Sequence, residues 1–101
     1  MIKNIVIPQN RITEFCRRHH IRRLALFGSV LRGDFRAESD VDVLVAFEPG
    51  VSVGFFKLYD LEQELSQILD GRKVEISTPK SLSRYFRDQV LAEAEVLYDQ
   101  A

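Results

Sequence analysis

The chain has 101 residues, which fits one domain and leaves no room for a second hydrophobic core. It is 46% hydrophobic and 29% charged with a net charge of −1, which argues against a disordered acidic chain and a globally basic nucleic-acid binder. A single cysteine, Cys16, excludes a disulfide scaffold and a cysteine-rich zinc site, and the apolar run Ile5-Val6-Ile7 is too short for a signal peptide or membrane span. The expectation is a soluble, cytoplasmic single domain over residues 1–101, with no membrane association and no direct nucleic-acid binding.

Pro8 suits the first turn of a helix, where its missing N–H costs nothing. Ile12, Phe15, Cys16 and His19 then recur at helical spacing, predicting a helix over about residues 8–20, with Cys16 as a packing residue. Arg17, Arg18, His19, His20, Arg22 and Arg23 read as a solvated helix end. Leu24 to Phe27 is a short apolar run ended by Gly28, a buried strand. Ser29 to Leu31 begins a short helix, and Gly33-Asp34 marks a turn.

Val41, Val43, Val45 and Phe47 alternate with Asp40, Asp42, Leu44 and Ala46, a strand whose faces differ at its start and are both apolar later. Pro49-Gly50 ends it. Phe55, Leu58, Leu61, Leu65, Ile68 and Leu69 follow a 3.6-residue stripe, predicting an amphipathic helix over residues 52–69 that Asp70-Gly71 stops. Phe55, Phe56 and Tyr59 are read as core, and Asp60, Glu62 and Glu64 as a solvated face. Val74 to Ser77 is a third strand. From Ser81 the tail reads as helix, with Tyr85, Phe86, Val90, Leu91, Val96 and Leu97 buried. The fold class is α/β (α+β), a short sheet of about three strands packed by helices.

The stretch that carries chemistry is Gly28-Ser29, ten intervening residues, then Asp40-Val41-Asp42. Gly28 lets the backbone turn sharply or approach a ligand without a Cβ clash. Ser29 stands at a helix start, where unpaired N–H groups and a hydroxyl can receive triphosphate oxygens. Asp40 and Asp42, two apart on a strand, leave the same face about 6.6 Å apart at Cα. Two acids on one face repel, and a metal ion is a good reason to keep them there. Such hard oxygen ligands suit two Mg²⁺ ions, with Mn²⁺ as a substitute. Glu75, flanked in its strand by Val74 and Ile76, is the best third carboxylate, as a metal ligand or a base. Arg32 reads equally well as a phosphate neutraliser and as a partner of Asp34. Neither a G-x-G-x-x-G nor a G-x-x-x-x-G-K-[ST] loop is present.

This pattern resembles the signature of the DNA polymerase beta-like nucleotidyltransferases, and Phe27 to Asp34 and Ser39 to Val45 are close to the text of their minimal branch, the MNT proteins. The likeness runs on through Val74 to Ser77 and into Val90 to Tyr98. It implies the small nucleotidyltransferase fold with a mixed sheet, triphosphate binding by Gly28 and Ser29, and metal binding and catalysis by Asp40, Asp42 and the carboxylate at position 75. The family usually has aspartate there; this chain has glutamate, one methylene longer. The resemblance further implies transfer of AMP from ATP to a hydroxyl, in toxin-linked members a tyrosine of a HEPN-domain partner, with homo- or hetero-oligomers open. A second reading is a catalytically weak antitoxin that neutralises its toxin by binding alone.

Overall fold

The computed structural model describes residues 5–36 and 38–100. Helix α1 (Gln9–Arg18) leads into β1 (Ile21–Phe27), and a 3-10 turn at Gly28–Leu31 follows directly. Then come β2 (Val41–Phe47), α2 (Phe55–Ile68), β3 (Val74–Ser77), α3 (Arg84–Glu93) and β4 (Glu95–Asp99). The strands form one mixed sheet in the order β3-β2-β1-β4. β1 runs antiparallel to both β2 and β4, whereas β2 and β3 are parallel. Parallel neighbours need a crossover, and α2 provides it.

The sheet has four strands where the sequence pattern indicates three. The fourth, β4, comes from the tail read as continuous helix: α3 stops at Glu93 and the chain turns back along β1. Cross-strand partners hold it there. Arg23 Nη2 lies 2.8 Å from Asp99 Oδ2, and Gln100 N–H donates to the Arg22 carbonyl at 2.9 Å. Pro8 sits one residue ahead of α1 instead of inside it, its carbonyl accepting the Ile12 N–H at 3.0 Å.

One face of the sheet carries the core. Val41, Val43 and Val45 of β2, Leu24 and Leu26 of β1, and Val74 and Ile76 of β3 meet Ile12, Phe15 and Cys16 of α1 and Leu61, Leu65 and Ile68 of α2. Burial pushes the Cys16 thiol up to about 12, so it stays a neutral packing group. Leu65 is fully buried in this cluster. Leu65→Ala will cost about 2–5 kcal/mol of stability, as a truncation that leaves a cavity does. Denaturant unfolding checks it; a loss below that range would mean that α2 packs more loosely than its burial implies.

Two apolar groups assigned to the core are outside it. Phe55 and Phe56 are 91% and 92% exposed, and Tyr59 is exposed too. They occupy the first turns of α2, ahead of and beside its buried positions, Leu61, Leu65 and Ile68. Helix α3 exists as expected from Ser81 onward but buries none of its residues; Tyr85 is 80% exposed, and Phe86 and Leu91 are exposed. Among the described residues no helix is long and apolar enough to cross a membrane.

The acidic face of α2 is also more engaged than a solvated one. Glu64 takes Arg18 and His19 as partners, the latter at 3.0 Å. Burial by itself would raise its carboxyl, but hydrogen bonds from Arg18 and His19, with their charges, outweigh burial and hold it below the ordinary value. The basic end of α1 is thus tied to α2.

Candidate active site

The second face of the sheet carries the acids. Because side chains alternate along β2, burying Val41, Val43 and Val45 on the helix side sends Asp42, Leu44 and Ala46 to the other. Further along that face Leu44 pairs with Ala25 of β1, and both are buried. At the near end Asp42 lies between Phe27 of β1 and Glu75 of β3, its register partners on either side. Val74 and Ile76 are buried, so Glu75 projects to the same side as Asp42, from a strand about 4.8 Å away. Asp40 precedes β2, and the Val41 N–H donates to the Lys73 carbonyl at 2.8 Å, tying the starts of β2 and β3 together.

Gly28 closes the site from the β1 side. It follows Phe27 with φ +78°, a left-handed conformation that L side chains rarely adopt. The Asp42 carboxylate lies against it so closely that a Cβ on residue 28 would stand 2.3 Å from Asp42 Oδ2. The missing side chain is therefore needed twice, for the turn and for the approach. Ser29 follows in the 3-10 turn, where its carbonyl accepts the Arg32 N–H at 2.9 Å.

The carboxylates are electrostatically coupled. The Asp42 carboxyl is raised above the ordinary carboxylate value, first by burial, then by the negative charges of Glu75 and of Asp40; Arg32 offsets part of this. Asp42 thus senses both other carboxylates. They do not form a finished cage: among the described residues no three His, Cys, Asp or Glu side chains are gathered as a metal-holding group. The donor set itself, three carboxylates beside a backbone turn, is the hard-oxygen chemistry that Mg²⁺ takes.

Two nearby cations were not singled out, or not decided, from sequence. Lys73 Nζ is 3.9 Å from Asp40 Oδ2 in an exposed contact, worth roughly 0–1 kcal/mol. Its place two residues before Glu75, on the same side of β3 by alternation, was the available signal. Arg32 meets its ion-pair reading, Nε lying 3.5 Å from Asp34 Oδ1, and its charge also reaches Asp42. Glu62, assigned to a solvated face, instead accepts the Ile76 N–H at 2.7 Å.

Comparison with known proteins agrees with this architecture. Residues 10–101 match the family model described as polymerase beta, nucleotidyltransferase. Protein adenylyltransferase MntA of Thermococcus cleftensis is 36% identical over 80 residues, covering 79% of this chain and 78% of that protein. A solved toxin–antitoxin structure with AMP-PNP shares the fold, with a TM-score of 0.74 and 24% identity over 93% of this chain and 75% of that one. So does a Shewanella oneidensis complex of a tri-AMPylated HEPN toxin with an MNT antitoxin, with a TM-score of 0.65 and 23% identity over 91% and 70%. Since the family match spans nearly the whole chain and includes the strand pair bearing Asp42 and Glu75, the protein belongs to the polymerase beta family of nucleotidyltransferases.

Proposed function

We propose that this protein transfers AMP from ATP to a hydroxyl of a partner protein, a tyrosine of a HEPN-domain toxin, and acts as its antitoxin. The observation that carries the reading is the Asp42 carboxylate resting on the Gly28 turn with Glu75 alongside it in register. The adenylyltransferase relative and the neighbouring complex with an AMP-modified toxin support the choice of AMP and of a protein acceptor. The AMP-PNP neighbour supports ATP as the donor.

In this mechanism Gly28 and Ser29 receive the triphosphate through backbone N–H groups and the Ser29 hydroxyl. Asp40, Asp42 and Glu75 would hold two Mg²⁺ ions, which supply neutralisation of phosphate charge and a more acidic acceptor hydroxyl. With those cations bound, Asp40 and Asp42 would keep the reacting end of the nucleotide against the sheet. Glu75, the more exposed acid, draws the proton from the acceptor hydroxyl. The acceptor oxygen then attacks the α-phosphorus in line, the bond to the β-phosphate oxygen breaks, and pyrophosphate leaves with that electron pair. One proton is released, and the acceptor carries an AMP ester.

Incubation with labelled ATP, Mg²⁺ and the partner toxin should label the toxin, and Asp40→Ala plus Asp42→Ala should reduce labelling to background. Undiminished labelling by the double variant would sink the proposal. A second reading is an antitoxin acting by binding alone, which glutamate at position 75 in place of the family's usual aspartate favours. A toxin restrained at full strength by the unlabelling double variant would establish that one.

A further inference from the structure

β3 has four residues and is an outer strand, paired to the sheet only through β2. Successive residues of a strand in a parallel pair turn their amides alternately toward and away from the neighbour. The Lys73 carbonyl accepts from Val41, so Lys73, Glu75 and Ser77 face β2, and the Ile76 amide faces the open edge. Ile76 is only 8% exposed. An unmatched amide there would cost about 1–3 kcal/mol and leave a sheet edge open to other chains.

Glu62 meets that amide. From the middle of α2 its Oε2 accepts the Ile76 N–H at 2.7 Å, a short bond to an ionisable acceptor. It links the crossover helix to the residue next to Glu75. Its mechanical effect follows from the two-residue period. Holding Ile76 against the helix side fixes the rotation of β3, and that rotation sends Glu75 to the opposite face beside Asp42. Burial of Val74 and Ile76 sets the same rotation, and the Glu62 bond adds to it at the open edge of a four-residue ladder.

We propose that Glu62 is a positioning residue for AMP transfer, holding Glu75 in register with Asp42 by clamping the Ile76 amide. The inference rests on the assignment of Glu75 to the site, and the experiment separates the two. Rates of toxin labelling, Mg²⁺ dependence and melting temperatures are measured for Glu62→Ala, Glu62→Gln, Glu62→Asp, Glu75→Ala and Glu62→Ala/Glu75→Ala. Glutamine keeps a carbonyl acceptor at the same reach; aspartate keeps the charge but falls short.

Glu62→Ala should lower kcat about 10-fold, within the range that supporting groups around metal ligands command, and raise the Mg²⁺ half-saturation several-fold. KM for ATP should stay within about two-fold, since Gly28 and Ser29 are untouched. Glu62→Gln should restore both quantities, Glu62→Asp should resemble alanine, and the double variant should be no slower than Glu75→Ala alone. If Glu62→Ala does not fold, the contrast between glutamine and aspartate decides. Equal behaviour of those two, or losses that multiply in the double variant, overturns the role of Glu62 alone. A Glu75→Ala chain running at full rate removes the Glu75 assignment and this inference with it.

Discussion

Gly28→Ala will lower the rate of AMP transfer by about 10²-fold or more while the chain stays folded. The new Cβ would stand 2.3 Å from Asp42 Oδ2 and 3.2 Å from its Cγ, distances at which something must shift. What shifts is the far end of the Asp42 side chain, the softer partner, so the carboxylate leaves its place over the turn. A displacement of about 1 Å at a reacting centre is enough for a 10²-fold loss. The backbone contributes separately. At φ +78° an alanine costs roughly 1–2 kcal/mol, a modest part of the 5–15 kcal/mol that holds a domain of this size. Gly33→Ala is the matched control, because a Cβ there meets nothing within 4 Å, and it should stay near wild type in rate and stability. Steady-state labelling and thermal melts read both effects. A Gly28→Ala chain at the wild-type rate would show that transfer does not need Asp42 where it stands.

How much of this was visible in the sequence depended on whether a feature is local. The strand bearing Asp42 was legible because valine and non-valine positions alternate without interruption from Val41 to Val45. α2 was legible from its leucine stripe, and Gly28-Ser29 from its place at the end of an apolar run. β1 was seen only from Leu24, though it starts at Ile21. A register irregularity between Ile21 and Arg23 leaves Arg22 and Arg23 exposed in succession and erases the two-residue period. β4 was invisible for a different reason. Its residues continue a pattern acceptable to a helix, and its strand identity comes from pairing with β1, some 70 residues earlier in the chain.

The same distinction runs through the side chains. Nothing in the spacing of Glu62 or Glu64 announces a partner, since Glu62 meets an amide 14 residues on and Glu64 reaches back to Arg18 across 46. Local pattern therefore assigned both to solvent, and tertiary contact engaged both. The site divides likewise. Asp40, Asp42 and the Gly28 turn are set by short-range spacing, but the position of Glu75 beside Asp42 depends on which strand neighbours β2, and in which direction.

Asp42→Asn should abolish transfer and yet make the metal-free protein more stable at neutral pH. The folded structure raises the Asp42 carboxyl by burial and by the charges of Glu75 and Asp40, so the folded state binds that proton more tightly than the unfolded chain does. The stability this contributes is complete below the unfolded-state value, about 3.9, and is lost as pH rises through the higher folded value. At neutral pH the wild-type carboxylate is thus a net cost to the fold, screened in part because the group is only half-buried. Asparagine is close in shape to the protonated acid and carries no charge to repel its neighbours. Its melting temperature without metal should exceed that of wild type at neutral pH, and the advantage should shrink as pH falls into the acid range. Adding Mg²⁺ should raise the wild-type melting temperature and scarcely move the variant, because the charge that would bind the cation is gone. Transfer should fall by at least about 10²–10³-fold, the scale on which charge stabilisation acts in such sites. The joint outcome is diagnostic, since a mutation that simply damaged the fold would lower both quantities. An asparagine variant less stable than wild type without metal, or equally stabilised by Mg²⁺, would mean that the acids at positions 40, 42 and 75 do not share a site.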